Sequence, residues 1–195
     1  RGINLNEQNG DGSTVLHLNV QPSNLEVLTY LLQFDCDVNV RNNLGSTPLD
    51  TAVDMAMTLM RGLPEGHSLV LKFKEVITTL LENGADIGIK DNNGESALMT
   101  AVIEPWLLKM LLEKSDEKDT RNTLGSGLYH VVVEKHLKNV ISLPKATEII
   151  EFLKGNDLDI NMQDIWKRNA LHVAVSSKEI PSDLVQILID NGCDV

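Results

Sequence analysis

The chain has 195 residues, 42% of them hydrophobic but only 4% aromatic, and a formal net charge of −11. That length holds either one globular domain or about five short repeats, and the aliphatic bias suits thin helical layers better than one thick aromatic core. The acidic balance argues against nucleic acid and anionic membrane as partners, and no apolar run approaches the roughly 18 residues of a membrane-spanning helix.

In chain order, the first predicted pair of helices opens at Gly12-Ser13-Thr14-Val15-Leu16-His17. Gly12 allows a turn with φ > 0, and Thr14 can cap a short helix expected to reach Asn19. Gln21-Pro22 ends it, and Leu25, Leu28, Leu31 and Leu32 then fall at helical spacing before Cys36-Asp37-Val38-Asn39 turns the chain. Gly45-Ser46-Thr47-Pro48-Leu49-Asp50-Thr51-Ala52 opens the second pair, whose first helix is predicted to continue through Met55, Met57, Leu59 and Met60. The cluster Arg61-Gly62-Leu63-Pro64-Glu65-Gly66 breaks it, and the next helix is expected from near Ser68 through Phe73, Val76, Ile77, Leu80 and Leu81. Gly94-Glu95-Ser96-Ala97-Leu98-Met99-Thr100-Ala101 opens the third pair, and Glu104-Pro105-Trp106 shortens its inter-helix turn. Pro105 suits the first turn of a helix, and Ser115 to Lys118 forms a degenerate tail. The fourth pair opens at Gly125-Ser126-Gly127-Leu128-Tyr129-His130, extends through His136 to Val140 and breaks at Leu143-Pro144. The fifth, Lys167-Arg168-Asn169-Ala170-Leu171-His172-Val173-Ala174, has Lys167 where the others have Gly. A Lys at φ > 0 costs roughly 1 kcal/mol, so this hairpin is expected to be reshaped.

The openings at 12, 45, 94, 125 and 167 are spaced by 33, 49, 31 and 42, which is a 33-residue period with an insertion of 16, a deletion of 2 and an insertion of 9. Each pair also closes alike, most cleanly in Leu80-Leu81-Glu82-Asn83-Gly84-Ala85-Asp86-Ile87 and in Leu188-Ile189-Asp190-Asn191-Gly192-Cys193-Asp194-Val195. Val20, Val53, Val102, Val133 and Val175 occupy one shared position, as repeating layer contacts require. This period and these motifs resemble the ankyrin-repeat family over essentially the whole chain.

The resemblance implies an all-α ankyrin-repeat α-solenoid, helix-turn-helix repeats with short hairpin fingers, in a single domain over residues 1–195. Its repeats would cover about 9–41, 42–90, 91–121, 122–163 and 164–195, with lengthened helices in the second and fourth and insertions near 57–72 and 136–146. Residues 1–8 resemble the tail of a preceding repeat, with Gly2 and Asn6 in the Gly and Asn positions, and Val195 falls inside an equivalent tail. A segment of a longer array or multidomain protein is therefore expected.

In function, the resemblance implies non-catalytic protein binding through a concave groove and hairpin tips, as a scaffold or adaptor. The alternatives are a regulatory arm of a larger enzyme, channel or ubiquitin ligase, or an acidic inhibitor-type array masking a basic surface. Leu44, Leu124, Ile165 and Trp166 are apolar residues at expected tips, and Trp is enriched among interface hot spots. The groove wall is expected to include Leu18, Thr51, Asp54, Met55, Thr100, Ile103, Glu104, Val131 and Glu134. That mixture would complement a partner protein or peptide bearing Lys or Arg beside an apolar anchor, and the chain itself is expected to be a monomeric segment. The Met55, Met57 and Met60 group is expected in the core rather than on a binding surface, and Trp106 over the shortened turn. His17, His130 and His172 share the family's His position, where the imidazole bridges neighbouring repeats, and no catalytic, metal or cofactor constellation is seen, so no enzyme activity and no cofactor are expected. Cys36 and Cys193 occupy the same small-residue position, consistent with a reducing compartment, cytoplasmic or nuclear. Asn39 and Asn161 end Leu-x5-Asp-aliphatic-Asn tails that resemble substrates of asparaginyl hydroxylase, although a turn hydrogen bond is the favoured role.

Overall fold

The computed structural model describes residues 4–60, 62–115, 118, 120–178 and 181–195. Gly2 and Ile3 of the expected tail, Arg61 of the breaker cluster and residues 116–117 of the degenerate tail lie outside the described residues. The helices are α1 Val15–Leu18, α2 Leu25–Leu31, α3 Pro48–Leu59, α4 Ser68–Glu82, α5 Ala97–Ala101, α6 Pro105–Lys114, α7 Leu128–Leu137, α8 Leu143–Gly155, α9 Ala170–Val175 and α10 Ser182–Asp190. Among the described residues there is no strand, only an isolated bridge between Lys90 and Ser96. The architecture is the all-α helical repeat of the α-solenoid class.

Local chemistry explains the helix starts. At α3, Thr47 Oγ1 accepts from the Asp50 N–H at 3.2 Å while Asp50 Oδ2 accepts from the Thr47 N–H at 2.8 Å, and Pro48 fills the first helical position. Gly127 takes the place of the capping Thr at α7, where an added Cβ would require the Met162 side chain to shift. Pro105 and Pro144 sit in the first turns of α6 and α8. The start of α4 at Ser68 follows the sequence expectation. By contrast α7 stops at Leu137, short of the expected Val140, because Asn139 turns the chain at φ 56°.

The chain divides into two compact units, residues 1–100 and 101–195. In the first, α1 packs on α3, α2 on α4, and α3 on α4. In the second, α7 packs on α8 and α9, α8 on α6 and α10, and α9 on α10. Each core is aliphatic: Leu49, Val53, Val76, Ile77 and Leu80 in the first unit, Leu107, Leu111, Val132, Ile149 and Leu153 in the second, all fully buried. Phe73 is the one fully buried phenylalanine among the described residues. Of the five recurrent valines, Val20, Val53, Val102 and Val133 are completely buried. Val175 is exposed. Met57 and Met60 are core, as expected, while Met55 is half-buried.

Candidate functional site: the hairpin tips

Five turns are built on one plan. Asn9, Asn42, Asp91, Asn122 and Asp164 each accept, through Oδ1, the backbone N–H groups two and four residues later, at 2.8 to 3.1 Å. The residue three positions on donates its N–H to the same residue's carbonyl, from Gly12, Gly45, Gly94, Gly125 and Lys167. This Asx arrangement lets a side chain substitute for part of a backbone turn. The third position must turn left-handed, and the four glycines have φ between 72° and 82°.

Lys167 adopts φ 61° in the same turn, so the fifth hairpin keeps its shape, contrary to the reshaping expected from its missing glycine. One physical reason accounts for this. Asp164 also receives Arg168 Nε and Nη2 on Oδ2, at 2.9 and 2.8 Å, which locks the turn from both sides. At two earlier tips packing as well as torsion holds the glycine: a Cβ on Gly45 would come within 2.6 Å of the Asn92 nitrogen, and one on Gly125 within 3.1 Å of the Ile165 nitrogen. For Asp164, burial pushes the carboxyl pKa up, but N–H donors from Arg168 and Trp166 and the Arg168 charge outweigh it and hold the group below its ordinary range.

The tips present apolar side chains to solvent: Leu44 is 72% exposed, Leu124 42%, Ile165 60% and Trp166 55%. In the second unit three of these are adjacent, because the Ile165 N–H donates to the Leu124 carbonyl at 3.0 Å. The Arg168 guanidinium lies 4.6 Å from the Trp166 ring centroid. Leu44 belongs to the first unit, where its carbonyl accepts from the Asn92 N–H at 3.0 Å.

The expected groove wall is less uniform. Leu18 is exposed, and Met55, Ile103, Glu134, Thr51 and Thr100 are half-buried, with Asp54 exposed. Val131 is buried, because α7 is packed by both α8 and α9. Glu104 is buried as well and bonds Lys145 Nζ at 2.8 Å, while Glu134 pairs with Lys138 at 3.6 Å. The two wall glutamates are thus met by lysines of their own chain.

The histidines bridge layers. His17 Nε2 lies 3.0 Å from the Ser46 carbonyl and His130 Nε2 2.8 Å from the Arg168 carbonyl, and Thr14 and Gly127 N–H groups donate to the respective Nδ1 atoms. His172 departs from this pattern: it is exposed and its Nδ1 meets Asn169 Oδ1 at 2.6 Å. Asp50 stands in the His position of the second pair, buried. Asn39 donates to the Gly84 carbonyl at 3.0 Å and accepts from the Asp86 N–H at 2.9 Å, and Asn161 repeats this with Gly192 and Asp194. Asn6 makes the same pair of bonds to Asp35 and Asp37. Cys36 is half-buried and Cys193 buried, and both are free thiols. Trp106 is half-buried at the start of α6.

One surface escaped the sequence argument. Leu5, Tyr30, Leu31, Phe34 and Asp35 line an open cleft of about 480 Å³, with the Tyr30 and Phe34 rings edge-to-face at 5.0 Å. Its sequence signal is the spacing of Val27, Tyr30 and Phe34, an apolar stripe beside the leucine stripe of α2. Among the described residues, no group of three or more His, Cys, Asp or Glu side chains is placed to hold a metal ion, and no helix is long and apolar enough to cross a membrane.

A family model described as ankyrin repeats (many copies) matches residues 1–52. The chain is 44% identical over 54 residues to alpha-latrotoxin-Lg1a of Latrodectus geometricus, and 46% identical over 52 residues to alpha-latrotoxin-Lt1a of Latrodectus tredecimguttatus. These alignments cover 28% and 27% of this chain and 4% of each toxin, so the chain spans only a small part of those relatives. In fold it is similar to an ankyrin repeat domain from Acinetobacter baumannii AYE, with a TM-score of 0.74 at 17% identity, covering 100% of this chain and 89% of the other. A chain from the complex of the Bdellovibrio bacteriovorus predatory endopeptidase Bd0816 with immunity protein Bd3460 gives a TM-score of 0.70 at 22% identity, covering 96% and 86%. Ankyrin repeats are in general non-enzymatic protein-interaction scaffolds. With its repeated turns and layered helix pairs the chain has the ankyrin-repeat fold, and its residues 1–52 match the ankyrin-repeat family model.

Proposed function

We propose that the chain is a non-catalytic adaptor module that captures a segment of a partner protein on its hairpin tips. The observation that carries this reading is the exposure of Leu44, Leu124, Ile165 and Trp166 on turns fixed by Asx hydrogen bonds. A solvent-facing aromatic on a rigid turn contributes nothing to the core, and it loses little conformational freedom when a partner covers it. The groove wall is the weaker surface: Val131 is buried, and Glu104 and Glu134 already have lysine partners, so little acidic charge remains there for a basic ligand.

The test is quantitative capture of a partner on the wild type beside Trp166→Ala and Leu124→Ala, each first checked for an unchanged thermal unfolding midpoint. Truncating a hot-spot residue should reduce partner affinity by at least about tenfold. Equal recovery on all three proteins would remove the tips from the binding surface.

A further inference from the structure

The chain is strongly acidic, yet the apolar patch of its second unit is edged by cations. Leu124, Ile165 and Trp166 form the patch, and Lys167 and Arg168 follow directly in sequence. The only carboxylate on the fifth turn, Asp164, has a fully buried side chain whose oxygens are taken by Arg168 and by the Trp166 and Arg168 N–H groups. Lys167 is exposed and makes no ion pair with any described carboxylate.

Two features set this tip apart from the other four. Lys167 occupies a left-handed position that glycine fills elsewhere, and strain of this kind persists where the side chain has a use. Arg168 is held along one edge by Asp164 and lies over the Trp166 ring, so the indole is fixed in an open orientation. The result is a rigid apolar platform beside an uncompensated ammonium group.

We infer that this tip docks an acidic segment of the partner protein, with an apolar anchor on Leu124, Ile165 and Trp166 and an Asp or Glu carboxylate beside Lys167. The inference rests on the tip-docking reading above and adds the chemistry of the occupant. The net charge of −11 does not oppose it at close range. At physiological salt, carboxylates more than about 8 Å away are largely screened, while a contact with Lys167 is not. Dense polyanions are still disfavoured, so a short acidic stretch with a greasy anchor is selected.

The test uses the full chain and a phage-displayed library of random 12-residue peptides, with Trp166→Ala as the counter-selection target. Trp166-dependent binders are expected to be enriched in Asp and Glu around an aromatic or branched aliphatic residue. Trp166-dependent binders that are neutral or basic would overturn the acidic assignment and leave tip docking standing. The absence of any Trp166-dependent binder would overturn both. For a selected acidic peptide, Lys167→Gly should weaken binding about 2- to 5-fold, the scale of one exposed ion pair. The same substitution should raise the unfolding midpoint by about 2 to 4 °C through relief of the left-handed Lys. Unchanged affinity in Lys167→Gly would remove the ammonium group from the contact, whatever happens to the midpoint.

Discussion

Asp50 shows how one residue can carry a charge problem inside an otherwise ordinary layer. Burial pushes its pKa up, Asp54 and Asp91 add to the shift, and the Thr47 bonds oppose it, leaving the group at about 6. The folded-state pKa therefore lies above the unfolded value of 3.8. Protonated Asp50 favours the fold, a contribution complete below about pH 4 and lost as pH rises through about 6. Asp50→Asn keeps an acceptor for the Thr47 N–H and removes the buried charge. It should stabilise the protein by roughly 1–3 kcal/mol at pH 7 and by almost nothing at pH 4, as read from urea unfolding at the two values. A gain of equal size at both would show that Asp50 is not titrating in this range. The residue scale is also where the sequence argument was most limited. Lys167 predicted a distorted hairpin because torsional preference belongs to one residue, while the Asp164–Arg168 lock depends on how the turn folds.

At the scale of the helix, position within the repeat does not by itself fix burial. Val76, Leu107, Ile149 and Leu184 hold one position in the second helices of four repeats and are fully buried, while Val27 at the same position in α2 is 48% exposed. What differs is the neighbour: α2 packs on α4, and the far side of α2 carries the Tyr30–Phe34 cleft. Val76→Ala should therefore cost roughly 2 kcal/mol in unfolding free energy, from lost transfer energy plus a cavity. Val27→Ala should stay within about 0.5 kcal/mol. Matched denaturant titrations decide this, and equal costs would mean that Val27 is covered in solution. The helices themselves were legible in advance because Thr-Pro, Gly and leucine spacing act through adjacent backbone groups. The early end of α7 was not, since it depends on Asn139 tolerating φ > 0.

At the scale of the molecule, the helix contacts within each unit run between neighbouring pairs, so stability should be distributed locally rather than held in one central core. Leu28→Ala removes a fully buried side chain from α2. Amide hydrogen exchange should speed up across α1 to α4 while α7 to α10 keep their protection. Uniform loss of protection along the chain would show a single cooperative unit instead.

The sequence alone determined the repeat, the helix pairs, the turn glycines and the apolar tips, because each is written in short-range spacing. Tertiary structure alone decided which of those side chains face water. It buried Val131 on α7, which packs on α8 and α9, matched Glu104 to Lys145, laid Arg168 over Trp166 and left Lys167 without an ion-pair partner among the described residues. Burial and charge pairing depend on partners that are distant in the chain or set by the fold of a turn, and no local pattern encodes them.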